Sequence, residues 1–147
     1  MGKSMPSRSE ILARFASGVM CSQCVVTQFA DELGYSEDEL MAMTASFGGG
    51  MEQGYTCGAV AGALTALSLA YFDADDPGFR AVMTEKIHEF YSRFKARWGT
   101  SLCKEIICFD AAIPGETEKA FASGKIAETC PDVVISAIEI LEELLPD

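Results

Sequence analysis

The chain has 147 residues and is strongly acidic, with 11 Lys and Arg residues against 22 Asp and Glu residues and a formal net charge of −11. This charge repels phosphate backbones and anionic lipid surfaces, so it argues against a protein that binds nucleic acid or a membrane surface. Hydrophobic residues make up 49% of the chain, and a domain of this length buries enough surface to fold without disulfides. We therefore expect one globular domain spanning residues 1–147.

The first residues and the longest apolar run bear on location. Met1–Pro6 has no apolar core of the kind found in a signal peptide, and we expect this segment to be disordered. The apolar run Ala59–Phe72 is interrupted by polar and glycine residues and is too short to span a bilayer. We expect a cytoplasmic protein, where thiols stay reduced and six cysteines indicate redox groups or metal ligands. A secreted protein that has lost its signal is the alternative.

The apolar spacing predicts four helices in the first half of the chain. They are a short helix capped by Ser7 or Ser9 and ending near Gly18, a helix over Met20–Leu33, a helix from Ser36 to about Ser46, and a helix over Cys57–Phe72. Ser36 followed by Glu39 is a capping-box pattern. The last of these helices is rich in Ala and Gly, which let neighbouring backbones approach closely, so we expect it to be central.

The second half of the chain continues the helical pattern. The predicted helices are a long one over Phe79–Trp98 with an aromatic stripe, one over Leu102–Phe109, and a closing amphipathic helix over Pro131–Leu145. Residues 111–129 look less regular. No segment shows the alternation typical of a strand, so we predict an all-α fold, a bundle of about six to seven helices.

Four of the six cysteines fall at predicted helix starts. These are Cys21, Cys57, Cys103 and Cys130. A helix N-terminus presents unpaired N–H groups and a partial positive charge, which stabilise a thiolate. The thiolate is the form that attacks disulfides and binds metals. If these four starts converge, they form one electropositive pocket lined with sulfur, suited to redox or metal chemistry.

The remaining cysteines leave several interpretations open. Cys21 and Cys24 form a CxxC pair, which is a redox dithiol, half of a metal site, or a pair of small core residues. No second CxxC is present, so the spacing is that of neither a zinc ribbon nor a bacterial ferredoxin. A cluster would have to be assembled from separate helices.

Two other features have a functional and a plain interpretation. Gly48, Gly49 and Gly50 either let a cofactor approach the backbone or supply positive φ angles in a turn, and the turn is the commoner use. Glu85 and His88 match the Glu-x-x-His unit of di-iron bundles, but such sites need a second unit that this chain lacks. We therefore expect His88 to lie on the surface.

Five stretches in order along nearly the whole chain resemble the family called C_GCAxxG_C_C, which is described as redox-active. They are Cys21–Gln23 with Val25, Phe47–Met51, Cys57–Ala63, Phe94–Ile106 with its Trp98-Gly99 pair, and Cys130. The resemblance implies that the family cysteines are Cys21, Cys57, Cys103 and Cys130, with Cys24 and Cys108 as additions. The order Cys57-Gly58-Ala59 differs from the Gly-Cys-Ala of the family name.

The leading hypothesis is a redox protein in which Cys21, Cys57, Cys103 and Cys130 form one catalytic or metal-binding site. They would bind a soft metal ion such as zinc, iron or Cu(I), bind an iron–sulfur cluster, or cycle between dithiol and disulfide. The partner would be a redox protein or a small-molecule thiol or disulfide. The alternatives are a metal-binding or carrier module without catalysis and a helical interaction domain with structural cysteines.

Overall fold

The computed structural model describes residues 3–147, which form an all-α domain, as predicted. Seven helices have seven or more residues, and two more have four residues each. In chain order they are α1 (Arg8–Ala16), α2 (Cys21–Thr27), α3 (Ala30–Leu33), α4 (Glu37–Thr44), α5 (Gly58–Tyr71), α6 (Phe79–Trp98), α7 (Cys103–Ile106), α8 (Glu116–Ala122) and α9 (Lys125–Leu144). A turn with left-handed backbone, Gly50–Gly54, precedes α5.

The helix starts of α1 and α4 form as the sequence predicts. Ser7 accepts a hydrogen bond from the Glu10 N–H, and Ser36 accepts one from the Glu39 N–H, each within a complete capping box. Met1 and Gly2, part of the segment expected to be disordered, lie outside the described residues. The carbonyls of Lys3 and Ser4 accept hydrogen bonds from the Gln28 amide.

The predicted helix over Met20–Leu33 is two helices, α2 and α3, so that boundary is wrong. The break follows the β-branched run Val25, Val26 and Thr27, which is crowded in a helix. Thr27 also bonds back to the Gln23 carbonyl at 2.6 Å, a pattern that bends helices. The Phe29 N–H then bonds to the Val26 carbonyl, and the tightened turn re-aims the chain.

Helix α5 is central, as its small residues predict. Most of its first ten residues are buried. A Cβ at Gly62 would lie 2.4 Å from the Ser22 carbonyl oxygen of α2, so the two helices cross at backbone contact. This contact fixes the N-terminal half of α5 against α2, which places Cys57 and Cys21 on neighbouring helices.

Helices α6 and α9 complete the core. The aromatic stripe of α6 is confirmed as core: Phe90 and Phe94 are fully buried, with ring centroids 5.9 Å apart. The exposed ion pairs Arg93–Glu143 and Arg97–Glu139 join α6 to α9. His88 is exposed, as expected.

Three predicted boundaries in the second half are wrong. Helix α9 begins at Lys125, so Pro131 lies inside it and not at its start. Helix α7 ends at Ile106, and Cys108 adopts φ +62°, which right-handed helix cannot accommodate. The segment 111–129, expected to be less regular, contains α8 between the positive-φ residues Gly115 and Gly124.

Across residues 3–147, no helix combines the length and the apolar character needed to cross a membrane.

Candidate functional site

A cavity of about 270 Å³ lies where the N-terminal ends of α2, α5 and α7 meet α9. All four predicted site cysteines line it: Cys21, Cys57, Cys103 and Cys130. Cys24 is buried elsewhere in the core, and Cys108 is exposed; neither lines the cavity. Residues separated by more than a hundred positions in sequence thus meet at one place. The CxxC spacing does not put Cys24 beside Cys21 in this cavity.

Cys21 is the first residue of α2, and its neighbours hold that end of the helix. Ser22 donates a hydrogen bond to the Thr44 carbonyl at 2.8 Å, and the Gln23 amide donates one to the Met41 carbonyl at 3.0 Å. The Gln23 side-chain oxygen accepts the Met20 N–H. The start of α2 is therefore anchored on α4, and Cys21 has a fixed direction into the cavity.

Cys57 and Cys103 are placed by an antiparallel backbone bridge between Thr56 and Leu102. The Cys57 N–H donates to the Ser101 carbonyl, and the Cys103 N–H donates to the Tyr55 carbonyl, both at 2.7 Å. Cys57 is the N-cap of α5, and Cys103 is the first residue of α7. The bridge therefore brings two helix starts, and the two cysteines they carry, to the same wall.

A left-handed turn leads into this bridge. Gly49, Gly50, Met51 and Glu52 have φ between 56° and 63° in succession. Non-glycine residues pay about 1–2 kcal/mol each in this region, and such strain concentrates at functional sites. Gly48 and Gly49 line the cavity, whereas Gly50 packs beneath it, where a Cβ would lie 2.6 Å from the Tyr55 backbone. The glycine run therefore makes the turn, and cofactor binding by Gly48, Gly49 and Gly50 stays a prediction.

Cys130 lies in α9 directly before Pro131. Proline has no N–H, so the carbonyl four residues earlier, Ala127, loses its helical partner. Arg8 replaces that partner: its guanidinium donates to the Ala127 carbonyl at 3.0 Å and the Glu128 carbonyl at 3.3 Å. The same side chain pairs with Asp132 at 2.5 Å. Arg8 thus stabilises the proline-containing turn from which Cys130 reaches the cavity.

The thiols of Cys21 and Cys130 interact directly. The Cys21 thiol donates a hydrogen bond to the Cys130 sulfur, which lowers the pKa of Cys130, and attraction to Lys125 lowers it further against the effect of burial. The same hydrogen bond raises the pKa of Cys21 well above its ordinary value, and burial and the neighbouring cysteines add to the rise. Cys130 is therefore the first of the two to lose its proton as pH rises, with Cys21 as the hydrogen-bond donor.

The other two cavity cysteines are held in the thiol form. Burial raises the pKa of Cys57 to about 12, although the N–H groups of Ala59 and Val60 point at its sulfur and oppose the rise. Burial also raises the pKa of Cys103 to about 11, with contributions from Cys130 and Asp110. The expectation that a helix start lowers these pKa values is wrong, because desolvation outweighs the helix N–H groups. The lowered pKa belongs to Cys130, in the interior of α9.

The family model described as "Putative redox-active protein (C_GCAxxG_C_C)" matches residues 19–144. The chain belongs to this family. Comparisons with curated proteins and with solved structures give no match.

The four cysteines assigned to the C_GCAxxG_C_C pattern are the four that line the cavity. The family name describes a redox-active protein and names neither a metal nor a disulfide. Among residues 3–147, no group of three or more His, Cys, Asp or Glu side chains is arranged to hold a metal ion. Metal binding by Cys21, Cys57, Cys103 and Cys130 stays a prediction.

Several site residues of this family member could not be identified from the sequence. Glu52 lies at the cavity in the left-handed turn, and Arg8 supports Cys130 from α1. In the sequence, Glu52 looks like any surface acid. It lies at the cavity only because the turn has left-handed φ values, which the sequence does not reveal. Arg8 could have been suspected only if Pro131 had been assigned to a helix interior, where a free carbonyl needs a donor.

Proposed function

We propose that the protein is a thiol–disulfide oxidoreductase in which Cys130 is the attacking thiolate and Cys21 the resolving thiol. The single observation that supports this most is that Cys21 and Cys130 line the same cavity, where each thiol shifts the pKa of the other in the opposite direction. The thiol with the lower pKa supplies the nucleophile, and the second sulfur is in place to attack it next.

The reaction conserves atoms and electrons. The Cys130 thiolate attacks one sulfur of a substrate disulfide, the substrate S–S bond breaks, and the first substrate thiolate leaves with a proton from Cys21. Cys21, now a thiolate, attacks the Cys130 sulfur of the mixed disulfide and releases the second substrate thiolate. Two electrons pass to the substrate, and Cys21 and Cys130 become a disulfide. A dithiol reductant, either a small molecule or a redox partner protein, reverses that oxidation.

A reducing compartment such as the cytoplasm suits this cycle. All six cysteines are free in the structure, which is the state from which the cycle starts. A location in the cytoplasm is part of the proposal.

The second candidate is the binding of a soft metal ion or an iron–sulfur cluster by the four cavity cysteines. Its support is that Cys21, Cys57, Cys103 and Cys130 line one cavity, where the neighbouring cysteines help to raise the pKa values of Cys21 and Cys57. Thiolates are the ligands such metals prefer.

The test is oxidation of the anaerobically purified protein in thiol–disulfide buffers, followed by peptide mass spectrometry. We expect a Cys21–Cys130 disulfide that forms with one two-electron midpoint. Cys21→Ser with Cys130→Ser should abolish the couple, and Cys24→Ser with Cys108→Ser, the matched control, should keep it. Metal and sulfide analysis of the same sample decides the second candidate. A stoichiometric metal with no Cys21–Cys130 disulfide would overturn the proposal in its favour.

A further inference from the structure

The cavity wall is almost entirely apolar. Its lining comes from six helices and is mostly hydrocarbon and sulfur. The largest apolar side chains are Phe15, Met20, Ile106, Ile107, Phe121 and Ile126. Of the described side chains that line it, only Glu52 and Thr117 carry an oxygen, and none carries a cationic group. Lys125 attracts the Cys130 thiolate but does not line the cavity. A charged substrate group would therefore lose its hydration here without gaining a partner.

The apolar surface continues outward at the entrance. Two lining residues, Met20 and Phe121, are 45% and 58% exposed. Exposed methionine and phenylalanine side chains beside a buried apolar pocket extend the contact surface for an apolar ligand. The entrance therefore favours apolar ligands, as the interior of the cavity does.

Charge acts against anionic ligands before they reach the cavity. The chain carries a net charge of −11, and Glu52 adds a carboxylate at the cavity itself. Fields of this kind change the association rates of charged ligands by about 10- to 1,000-fold. A peptide disulfide with several carboxylates is disfavoured on approach and again on entry.

Size limits the ligand as well. The cavity volume of about 270 Å³ is slightly below the roughly 300–1,000 Å³ typical of drug-sized ligand sites. A dinucleotide cofactor would not fit within it, whereas a compact one- or two-ring molecule matches it.

We infer that the substrate of the Cys21–Cys130 pair is a small, uncharged, apolar disulfide. This inference rests on the proposed function. The Cys130 thiolate attacks the apolar disulfide in the cavity, the substrate S–S bond breaks, and Cys21 resolves the mixed disulfide as above. The two electrons reduce the substrate to one thiol, protonated by Cys21, and one thiolate, which takes its proton from solvent. An external dithiol returns the enzyme to its reduced state.

The experiment compares an uncharged and an anionic chromophoric pyridyl disulfide in single-turnover reactions with the reduced full-length protein. Dithiodipyridine is uncharged at neutral pH, and dithiodinicotinate is the same dipyridyl disulfide with one carboxylate on each ring. Each rate is divided by the rate of the same disulfide with a small neutral thiol, which removes intrinsic reactivity. All rates are those of the protein with Cys24→Ser and Cys108→Ser, so that only the cavity cysteines react.

We expect the normalised rate to favour the uncharged disulfide by at least about tenfold at low salt. Glu52→Gln should narrow that preference by speeding the anionic disulfide. Phe121→Ala should slow the uncharged disulfide, and Phe72→Ala, an equally exposed phenylalanine outside the cavity, should leave it unchanged. Circular dichroism shows that each variant is folded.

Failure of the inference and failure of the proposed function give different results. Rates that disappear in Cys21→Ser with Cys130→Ser but show no preference for the uncharged disulfide would overturn the substrate class alone. Rates that survive loss of both cysteines would overturn the proposed function and the inference with it. A preference for the uncharged disulfide that Phe121→Ala leaves intact would also count against this cavity as its source.

Discussion

Two backbone hydrogen bonds join the segments that carry Cys57 and Cys103. The Cys57 N–H donates to the Ser101 carbonyl and the Cys103 N–H donates to the Tyr55 carbonyl, both at 2.7 Å. These two bonds flank the Thr56–Leu102 bridge, the one antiparallel pairing in the described part of an all-helical chain. The left-handed turn before Tyr55 leads into the segment with Cys57. Gly99, at φ +79°, ends α6 and leads into the segment with Cys103. The sulfur-lined wall therefore depends on backbone geometry outside the helices that carry its cysteines.

Gly50→Ala tests that dependence. A Cβ at Gly50 would lie 2.6 Å from the Tyr55 backbone and 2.9 Å from the Cys103 Cβ, at φ +63°. Gly34 is the matched control, because it has φ +76° and no atom within 4 Å of its added Cβ. Both variants place an alanine at a positive φ angle, but only Gly50→Ala puts its Cβ against the packed atoms of Tyr55 and Cys103. We expect Gly50→Ala to lose about 1–3 kcal/mol more unfolding free energy than Gly34→Ala in denaturant titrations.

Equal losses for the two glycine variants would show that the turn can move away from Tyr55 and Cys103. The cavity would then not depend on the close packing of Gly50.

Arg8→Ala tests the support of the proline-containing turn in α9. Removing the guanidinium leaves the Ala127 carbonyl without a donor from either the helix or α1, a loss we place at about 1 kcal/mol. Arg97→Ala is the control, since Arg97 is as exposed as Arg8 (43% each) and makes only an ion pair with Glu139. Exposed pairs contribute about 0–1 kcal/mol. Thermal melts measure both losses.

A second measurement separates positioning from stability. If Arg8 sets the direction of Cys130, Arg8→Ala should shift the midpoint of the Cys21–Cys130 couple, and Arg97→Ala should not. Arg8→Lys keeps the charge but replaces the planar guanidinium, which reaches Asp132 and both carbonyls, with a single ammonium nitrogen. A midpoint that Arg8→Ala leaves unchanged would restrict Arg8 to a purely structural role.

The sequence predicted the helices better than the cavity chemistry. Capping boxes at Ser7 and Ser36 are local, so their residues alone specify the helix starts. The residues around the start of α9 do not specify that start by themselves. A proline inside a helix leaves a carbonyl without its helical donor, and here Arg8 of α1 supplies the hydrogen bond. The convergence of the four cysteines could be suspected from family resemblance, but their protonation could not. Burial decides it, and burial depends on the packed fold.

Stability in alkali should reveal the buried thiol of Cys57. Its pKa is raised from 9.0 to about 12 on folding. Between these values the unfolded chain has lost the proton and the folded chain still holds it, so stability is full below about pH 9 and falls as pH rises. In the wild type, the free energy of unfolding should fall as pH rises from about 9 to 10. We expect Cys57→Ala to make that fall smaller by about 1 kcal/mol per pH unit, measured by urea titrations.

The comparison is of slopes, so a constant loss from the smaller side chain does not affect it. Cys108→Ala, at an exposed cysteine, is the control for replacing a thiol as such. If Cys57→Ala and the wild type decline in parallel, Cys57 is not held as a thiol by burial.

Alkylation should identify Cys130 as the first cavity cysteine to become a thiolate. Its pKa lies below the ordinary 9.0, first because the Cys21 thiol donates to its sulfur and then because Lys125 attracts the charge. A lowered pKa means that Cys130 reacts at a pH where Cys21, Cys57 and Cys103 remain protonated. Mass spectrometry of peptides after brief treatment with iodoacetamide, over a series of pH values, gives the titration of each cysteine.

Two substitutions at Cys21 distinguish the effect of its hydrogen bond on the pKa of Cys130 from the effect of the other surroundings. Cys21→Ala removes the donor, so the midpoint of Cys130 alkylation should rise towards 9.0. Cys21→Ser keeps a hydroxyl donor at the same place and should retain most of the lowered value, since a hydrogen bond to the charged form favours that form. Cys24→Ala, three residues away and outside the cavity, should leave the midpoint where it is. A Cys130 midpoint at or above 9.0 in the wild-type protein would remove the thiolate from α9, and with it the reason to assign the first attack to Cys130.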